Sequence, residues 1–169
     1  MKRKLLIGIV AVMVFAFGVG TVAAQSDLSG VWTLDAGKSL NVPPGLIQTM
    51  TVTQNGDRVE VETKSKAREG QERVGKDAYV LDGKETDFTA PVPPGAAKKA
   101  KRVSKWTDDG NGFDVTEEAV VNAPDGGGEA TIRAKRRWRL SADGKTLIIE
   151  MDVENPNGTS KSRRVFVKK

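Results

Sequence analysis

The sequence predicts an all-β domain: an antiparallel up-and-down meander of about eight to ten strands closed into a barrel, with a two-sheet β-sandwich as the alternative. Three observations carry this. No stretch after residue 25 keeps a helical apolar period. Short segments of alternating apolar and polar residues recur instead. Turn dipeptides separate them: Asn55-Gly56, Asp82-Gly83, Gly110-Asn111, Asp125-Gly126, Asp143-Gly144 and Asn157-Gly158. Asn-Gly and Asp-Gly suit two-residue type I′ hairpins, whose central residues both take φ > 0. Closure is favoured because a long open meander would leave exposed edges. Residues 64–76 and 89–99 read as the least regular parts, and Pro91, Pro93, Pro94 and Gly95 mark a loop in the second.

The N-terminus reads as a cleavable secretory signal over residues 1–24. Lys2, Arg3 and Lys4 form a basic start, Leu5–Val19 is apolar, and Val22-Ala23-Ala24 offers small residues for cleavage before Gln25. An uncleaved anchor is the alternative, since Leu5–Ala24 is about long enough to span a bilayer. Gly8, Gly18 and Gly20 favour cleavage. The expected location is therefore periplasmic or extracellular, with residues 25–169 as one domain and no stable membrane anchor after cleavage. Without the leader lysines and arginine, 24 basic residues face 22 acidic ones, a balance of +2. That gives no argument for nucleic acid. The chain has no cysteine, hence no disulfide or lipid-bearing cysteine, and no histidine. Catalytic triads that need either residue are excluded, and no cofactor or metal is expected.

The turns also predict register, because neighbours on a strand alternate faces. About Asp143-Gly144, Leu140 faces Leu147, Trp138 faces Ile149 and Arg136 faces Met151, while Arg137 meets Glu150 and Lys135 meets Asp152 on the other face. About Asp125-Gly126, Val115 faces Arg136, Phe113 faces Trp138 and Glu117 faces Ala134; Glu118 meets Arg133 and Asp114 meets Arg137 outside. About Asn55-Gly56, Val52 faces Val59 and Met50 faces Val61. About Asn157-Gly158, Met151 faces Arg164 and Ile149 faces Phe166. Four hairpins thus give one mostly apolar face and one face of opposite charges.

The domain opens with Leu28-Ser29-Gly30-Val31-Trp32-Thr33-Leu34-Asp35 and closes with Arg163-Arg164-Val165-Phe166-Val167-Lys168. A Gly-x-Trp on the first strand and an Arg on the last resemble the lipocalin and wider calycin signature. The resemblance implies that Trp32 closes a barrel floor and that Arg164 packs over it. Trp138–Leu147 and Gly30–Ser39 are similar to stretches of secreted lipocalin-like proteins of environmental bacteria. The chain departs from the lipocalin family proper in having neither cysteines nor an obvious long helix before the last strand.

Polar residues on the inner face are the candidate ligand-binding site: Glu117, Arg136 and Arg164, with Ser104 and Arg102 joining if Gly110-Asn111 is a tight turn that sets Trp106 opposite Val115. Charge inside a barrel is costly unless paired or wet. Guanidinium forks suit a carboxylate. Trp138, Met50, Val52, Val59, Val61, Phe113 and Ile149 would supply apolar walls. The competing reading is a structural Glu117–Arg136 pair with Arg164 stacked on Trp32 and no ligand. Thr107–Gly112 with Glu118 imitates a calcium loop, but Thr107 replaces the first Asp and a hairpin explains the same residues. Arg133, Lys135, Arg137 and Arg139 form an outer row that acidic neighbours neutralise. Lys98, Lys99, Lys101, Arg102 and Lys105 would make a basic barrel mouth or a soluble loop edge. The leading functional expectation is an exported lipocalin-like binding protein for a small lipophilic or amphipathic ligand, with an anionic head in the version that uses the arginines. A filled-barrel envelope interaction module is the alternative, and a small isomerase or hydrolase using Glu117 as base ranks third.

Overall fold

A computed structural model of the chain describes residues 25–68, 70–90, 97–123 and 127–169. The leader, the proline-rich loop and the Asp125-Gly126 dipeptide fall outside the described residues. The strands are β1 Gly30–Leu34, β2 Ile47–Asn55, β3 Arg58–Lys66, β4 Arg73–Val80, β5 Asp82–Asp87, β6 Ala97–Trp106, β7 Gly112–Asn122, β8 Glu129–Leu140, β9 Thr146–Asn155 and β10 Gly158–Lys168. All ten join one antiparallel sheet in the order β4-β3-β2-β1-β10-β9-β8-β7-β6-β5. The sheet curls into a nearly closed up-and-down barrel. β1 joins its first half to its last, pairing with both β2 and β10.

The backbone ladder does not close between β4 and β5. The sequence predicts a hairpin at Asp82-Gly83; instead the dipeptide lies within β5, beside a register shift against β6, with Gly83 at φ +75°. A left-handed glycine serves a bulge as well as a turn. Leu81 leaves β4 by donating its N–H to the Asp57 carbonyl at 2.8 Å, and the two strands part. What crosses the seam is a side chain, Arg102 of β6, reaching β4.

The register about Asp143-Gly144 is as expected, from Leu140↔Leu147 to Lys135↔Asp152. So is every β7–β8 pair, including Val115↔Arg136 and Phe113↔Trp138. Three other hairpins pair two residues away from expectation. In the first the loop is Gly56-Asp57, so Val52 faces Val61 and Gln54 faces Val59. Gly56 alone takes positive φ (+56°), which fits a turn with glycine at its first central position. In the second the loop is Pro156-Asn157, so Ile149 faces Arg164 and Leu147 faces Phe166. Asn155-Pro156-Asn157-Gly158 places residues where a type I turn favours them, and Asn155 Oδ1 accepts from the Asn157 N–H at 2.8 Å. In the third the β6–β7 loop is wider than a tight turn, with Thr107 N–H bonded to the Gly112 carbonyl. Trp106 therefore faces Phe113, and Arg102 faces Glu117 directly. A shift of two residues keeps every side chain on its predicted face.

Sequence regularity is weakest where both faces meet water. β3 runs to Lys66 and β4 starts at Arg73, inside the stretch that reads as irregular. Most of β4 is exposed on both sides, so no alternation marks it.

The floor end of the barrel holds the main apolar cluster. Leu28, Trp32, Phe113, Leu147 and Phe166 are fully buried there. Phe113 and Trp138 stack at 4.9 Å, with Tyr79 packed 5.4 Å from Phe113 and 5.9 Å from Trp138. Gly112 sits where a Cβ would run into the Trp138 backbone, so the close approach of β7 and β8 requires glycine. A smaller cluster of Ala90, Ala100, Ala119 and Val121 lies apart, with Phe88, Ala130 and Ile132 against it. Outside, Arg133 pairs with Glu118 (2.9 Å), Arg137 with Glu150 and Asp152 (3.2 and 2.8 Å), and Arg139 with Asp114 (2.8 Å). Such exposed pairs contribute little each, but they neutralise the row.

Candidate functional site

The charged residues of the barrel interior form one band across five strands. Arg102 and Glu117 face each other on β6 and β7. Arg136 lies on β8 one inward step from the residue opposite Glu117. β9 separates it from Arg164 on β10. Asp77 comes from β4, across the seam.

Arg102 is saturated. Its side chain is only 5% exposed. Nε donates to Glu117 Oε1 at 2.8 Å, and Nη2 lies 2.6 Å from the same oxygen. Nη1 donates to Asp77 Oδ1 (2.6 Å) and the Ala78 carbonyl (3.0 Å), and Nη2 to Asp77 Oδ2 (3.0 Å). Tyr79 and Phe88 cover its carbon centre at 4.6 and 4.4 Å to their ring centroids. Burial pulls its pKa down, but hydrogen bonds and charge from Asp77, then the Glu117 charge, outweigh this and raise it.

Arg164 is the opposite case. Among the described residues its side chain makes one hydrogen bond, a 3.3 Å contact from Nη1 to Gln48 Oε1, and its Nε is buried without a partner. Burial lowers its pKa, and the positive charge of Arg136 lowers it further. Arg136 is intermediate. Its Nη1 lies 2.5 Å from Glu117 Oε1 as an ion pair, at an angle that does not make a hydrogen bond. The described band thus holds three guanidiniums, Arg102, Arg136 and Arg164, against two carboxylates, Asp77 and Glu117.

Arg136, Arg164 and Trp138 line one cavity of about 220 Å³, partly open to solvent. Met50, Val61, Ile149, Met151 and Phe166 form its apolar wall; Gln48, Thr63, Ser162, Asp77 and Tyr79 complete it. Trp138 Nε1 is buried with no acceptor. Among the described residues, the two buried polar atoms of this wall left without a partner, Arg164 Nε and Trp138 Nε1, are both donors. The wall therefore suits a group that only accepts hydrogen bonds.

Glu117 and Ser104 stand back from the cavity. Glu117 is 5% exposed and holds Arg102 and Arg136 from behind; Ser104 is buried opposite Val115 with its hydroxyl unpartnered. Arg164 does not stack on Trp32 as the resemblance implies. Trp32 faces Lys168 in the β1–β10 register, and Lys168 Nζ sits 5.2 Å from its ring centroid. The Trp32 indole N–H donates to the Leu28 carbonyl at 3.0 Å, closing the floor.

Sequence reasoning missed Asp77 and Gln48. Asp77, Tyr79 and Leu81 do alternate, and extending the period back from Tyr79 would have placed Asp77 inward. Arg102 does not belong to a basic mouth, being buried, and Lys101 of the same segment is paired with Glu85 and Asp87. In the calcium-like loop, Asp109 is engaged by the Thr107 hydroxyl at 2.6 Å and the Asn111 N–H at 3.1 Å.

No family model matches the chain, and no curated protein matches its sequence. Among solved structures it is similar to the zebrafish ileal bile acid-binding protein crystallised with cholic acid, at a TM-score of 0.51 and 16% identity. The match covers 85% of this chain and 100% of that one. At that identity the likeness speaks for architecture alone, and the chain has an all-β, antiparallel up-and-down barrel fold.

Proposed function

We propose that this chain is an exported barrel that binds one small amphipathic molecule with an anionic head, and that it is not an enzyme. The observation that carries the reading is the charge count of the interior. Among the described residues three guanidiniums face two carboxylates, and Arg164, which is paired with neither, lines a cavity with an apolar wall beside the Trp138 indole N–H, which has no acceptor. Burying an uncompensated charge is expensive, and a bound monoanion removes the excess. The head would lie between Arg136 and Arg164, with the Trp138 indole N–H as a further donor and Met50, Ile149, Met151 and Phe166 around the body. Glu117 holds Arg136 in place and is not free to act as a base, since two arginines occupy it. The bile acid-binding neighbour supports a barrel of the ligand-holding kind. The leader over residues 1–24 supports export to the periplasm or beyond.

Native mass spectrometry of protein purified from its own host tests this. An acidic small molecule should be retained by the parent and lost from the Arg136→Met, Arg164→Met double variant, which should remain a folded barrel by circular dichroism. Retention unchanged in that variant overturns the arginine site. A filled structural barrel is the second reading, favoured by the aromatic packing of the floor end. It expects no bound molecule in either protein.

A further inference from the structure

The interior cavity has a neighbour. A larger groove of about 660 Å³ lies at the β4–β5 seam, lined by Thr51, Thr53, Glu60, Glu62, Phe88 and Arg102 among others. The two spaces share two lining residues, Val61 and Asp77. Asp77 is fixed there. Arg102 grips both its oxygens from across the seam, the Tyr79 hydroxyl donates to Oδ2 at 2.9 Å, and the Ala78 N–H donates to Oδ1 at 3.0 Å. No backbone ladder closes the seam at this point, so this ion pair stands between inside and outside.

We propose that the Asp77–Arg102 pair is a partition that restricts the interior site to short monocarboxylates of about six to eight carbons, and that Asp77 is the residue that sets this length. The proposal rests on the anion-binding reading above. A space of about 220 Å³ holds about seven groups of water size, each filling about 30 Å³ in the liquid. A carboxylate uses about three of these, and the partly open side admits a few further carbons. Joined to the seam groove, the same site would hold a much longer chain. The Asp77 charge also repels a carboxylate from the partition, which turns the head toward Arg136 and Arg164 and the tail toward the blocked wall.

Calorimetric titration with straight-chain saturated monocarboxylates from four to sixteen carbons, each below its micellar concentration, tests this. For the parent, affinity should rise about four-fold per carbon, the effect of burying one methylene, and then stop rising at about six to eight carbons. In Asp77→Ala the rise should continue for at least three more carbons. Met151→Ala, which enlarges the interior without touching the partition, should move the break by one or two. A parent whose affinity climbs unbroken past twelve carbons overturns the partition while leaving the anion site standing. So does a folded Asp77→Ala variant with the parent's break point. If Asp77→Ala does not fold, the parent series and Met151→Ala decide alone. No binding at any length overturns the anion-binding reading, and the partition with it.

Discussion

Arg102 and Arg164 are both inward-facing arginines of the same barrel, yet their surroundings differ in almost every respect. Arg102 has two carboxylates, a carbonyl and two aromatic faces. Arg164 has one long hydrogen bond to an amide and a second cation nearby. Their pKa values move in opposite directions, up for Arg102 and down for Arg164. The same side chain is a structural tie in one place and an unmet demand in the other. A buried charge reports on function only after its partners have been counted.

The difference is sharpest in stability. Arg102→Met leaves Glu117 with one partner and Asp77 with none of its guanidinium contacts, and it opens the seam. A loss of about 3–5 kcal/mol is expected in urea denaturation, the usual cost of breaking a buried pair on one side. A loss under about 1 kcal/mol would show that Arg102 is not the tie described. Arg164→Met should act the other way on the ligand-free protein. It removes a charge the fold disfavours, so stability should stay within about 0.5 kcal/mol of the parent or rise above it. A large loss there would mean that Arg164 has a structural partner and would erase the comparison.

Acid should separate the two arginines least, since neither titrates in that range. The turn aspartates do. Hydrogen bonds from the Lys38, Thr107 and Ser141 side chains hold Asp35, Asp109 and Asp143 respectively below the ordinary 3.8. A carboxyl that ionises more readily folded than unfolded adds stability that is complete above about pH 4 and is lost as pH falls through its folded value. The parent and Arg164→Met should therefore lose stability in parallel below about pH 4. Divergence of the two curves there would place a carboxylate against Arg164.

The fold was largely legible in the sequence because period-two alternation and turn chemistry agree with each other. The β7–β8 and β8–β9 registers follow from Asp-Gly positions alone. The Asn55-Gly56 and Asn157-Gly158 hairpins shifted by a residue pair, since the adjacent Asp57 and Pro156 can also occupy the turn. Faces survived that shift, so Arg136, Arg164 and Trp138 meet at the cavity as the pattern implies. The seam was not legible. β4 is exposed on both faces and carries little alternation, which hid Asp77. Whether consecutive strands pair or part, as β4 and β5 do, is decided by closure of the whole sheet. The saturation of Glu117 by Arg102 depends on a long-range pairing that became exact only with the wider β6–β7 loop.

In this reading Arg164 lacks an anion, and a ligand supplies it. Urea denaturation of the parent and of Arg164→Met, each with and without hexanoate in large excess, measures this directly. A ligand that binds only the folded state stabilises it by about 2.7 kcal/mol at a hundred times its Kd. Hexanoate should raise the unfolding free energy of the parent by an amount of that order, and its midpoint with it, and leave Arg164→Met where it was. Equal midpoints with and without hexanoate in the parent, or an equal rise in both proteins, would show that Arg164 does not hold the anion.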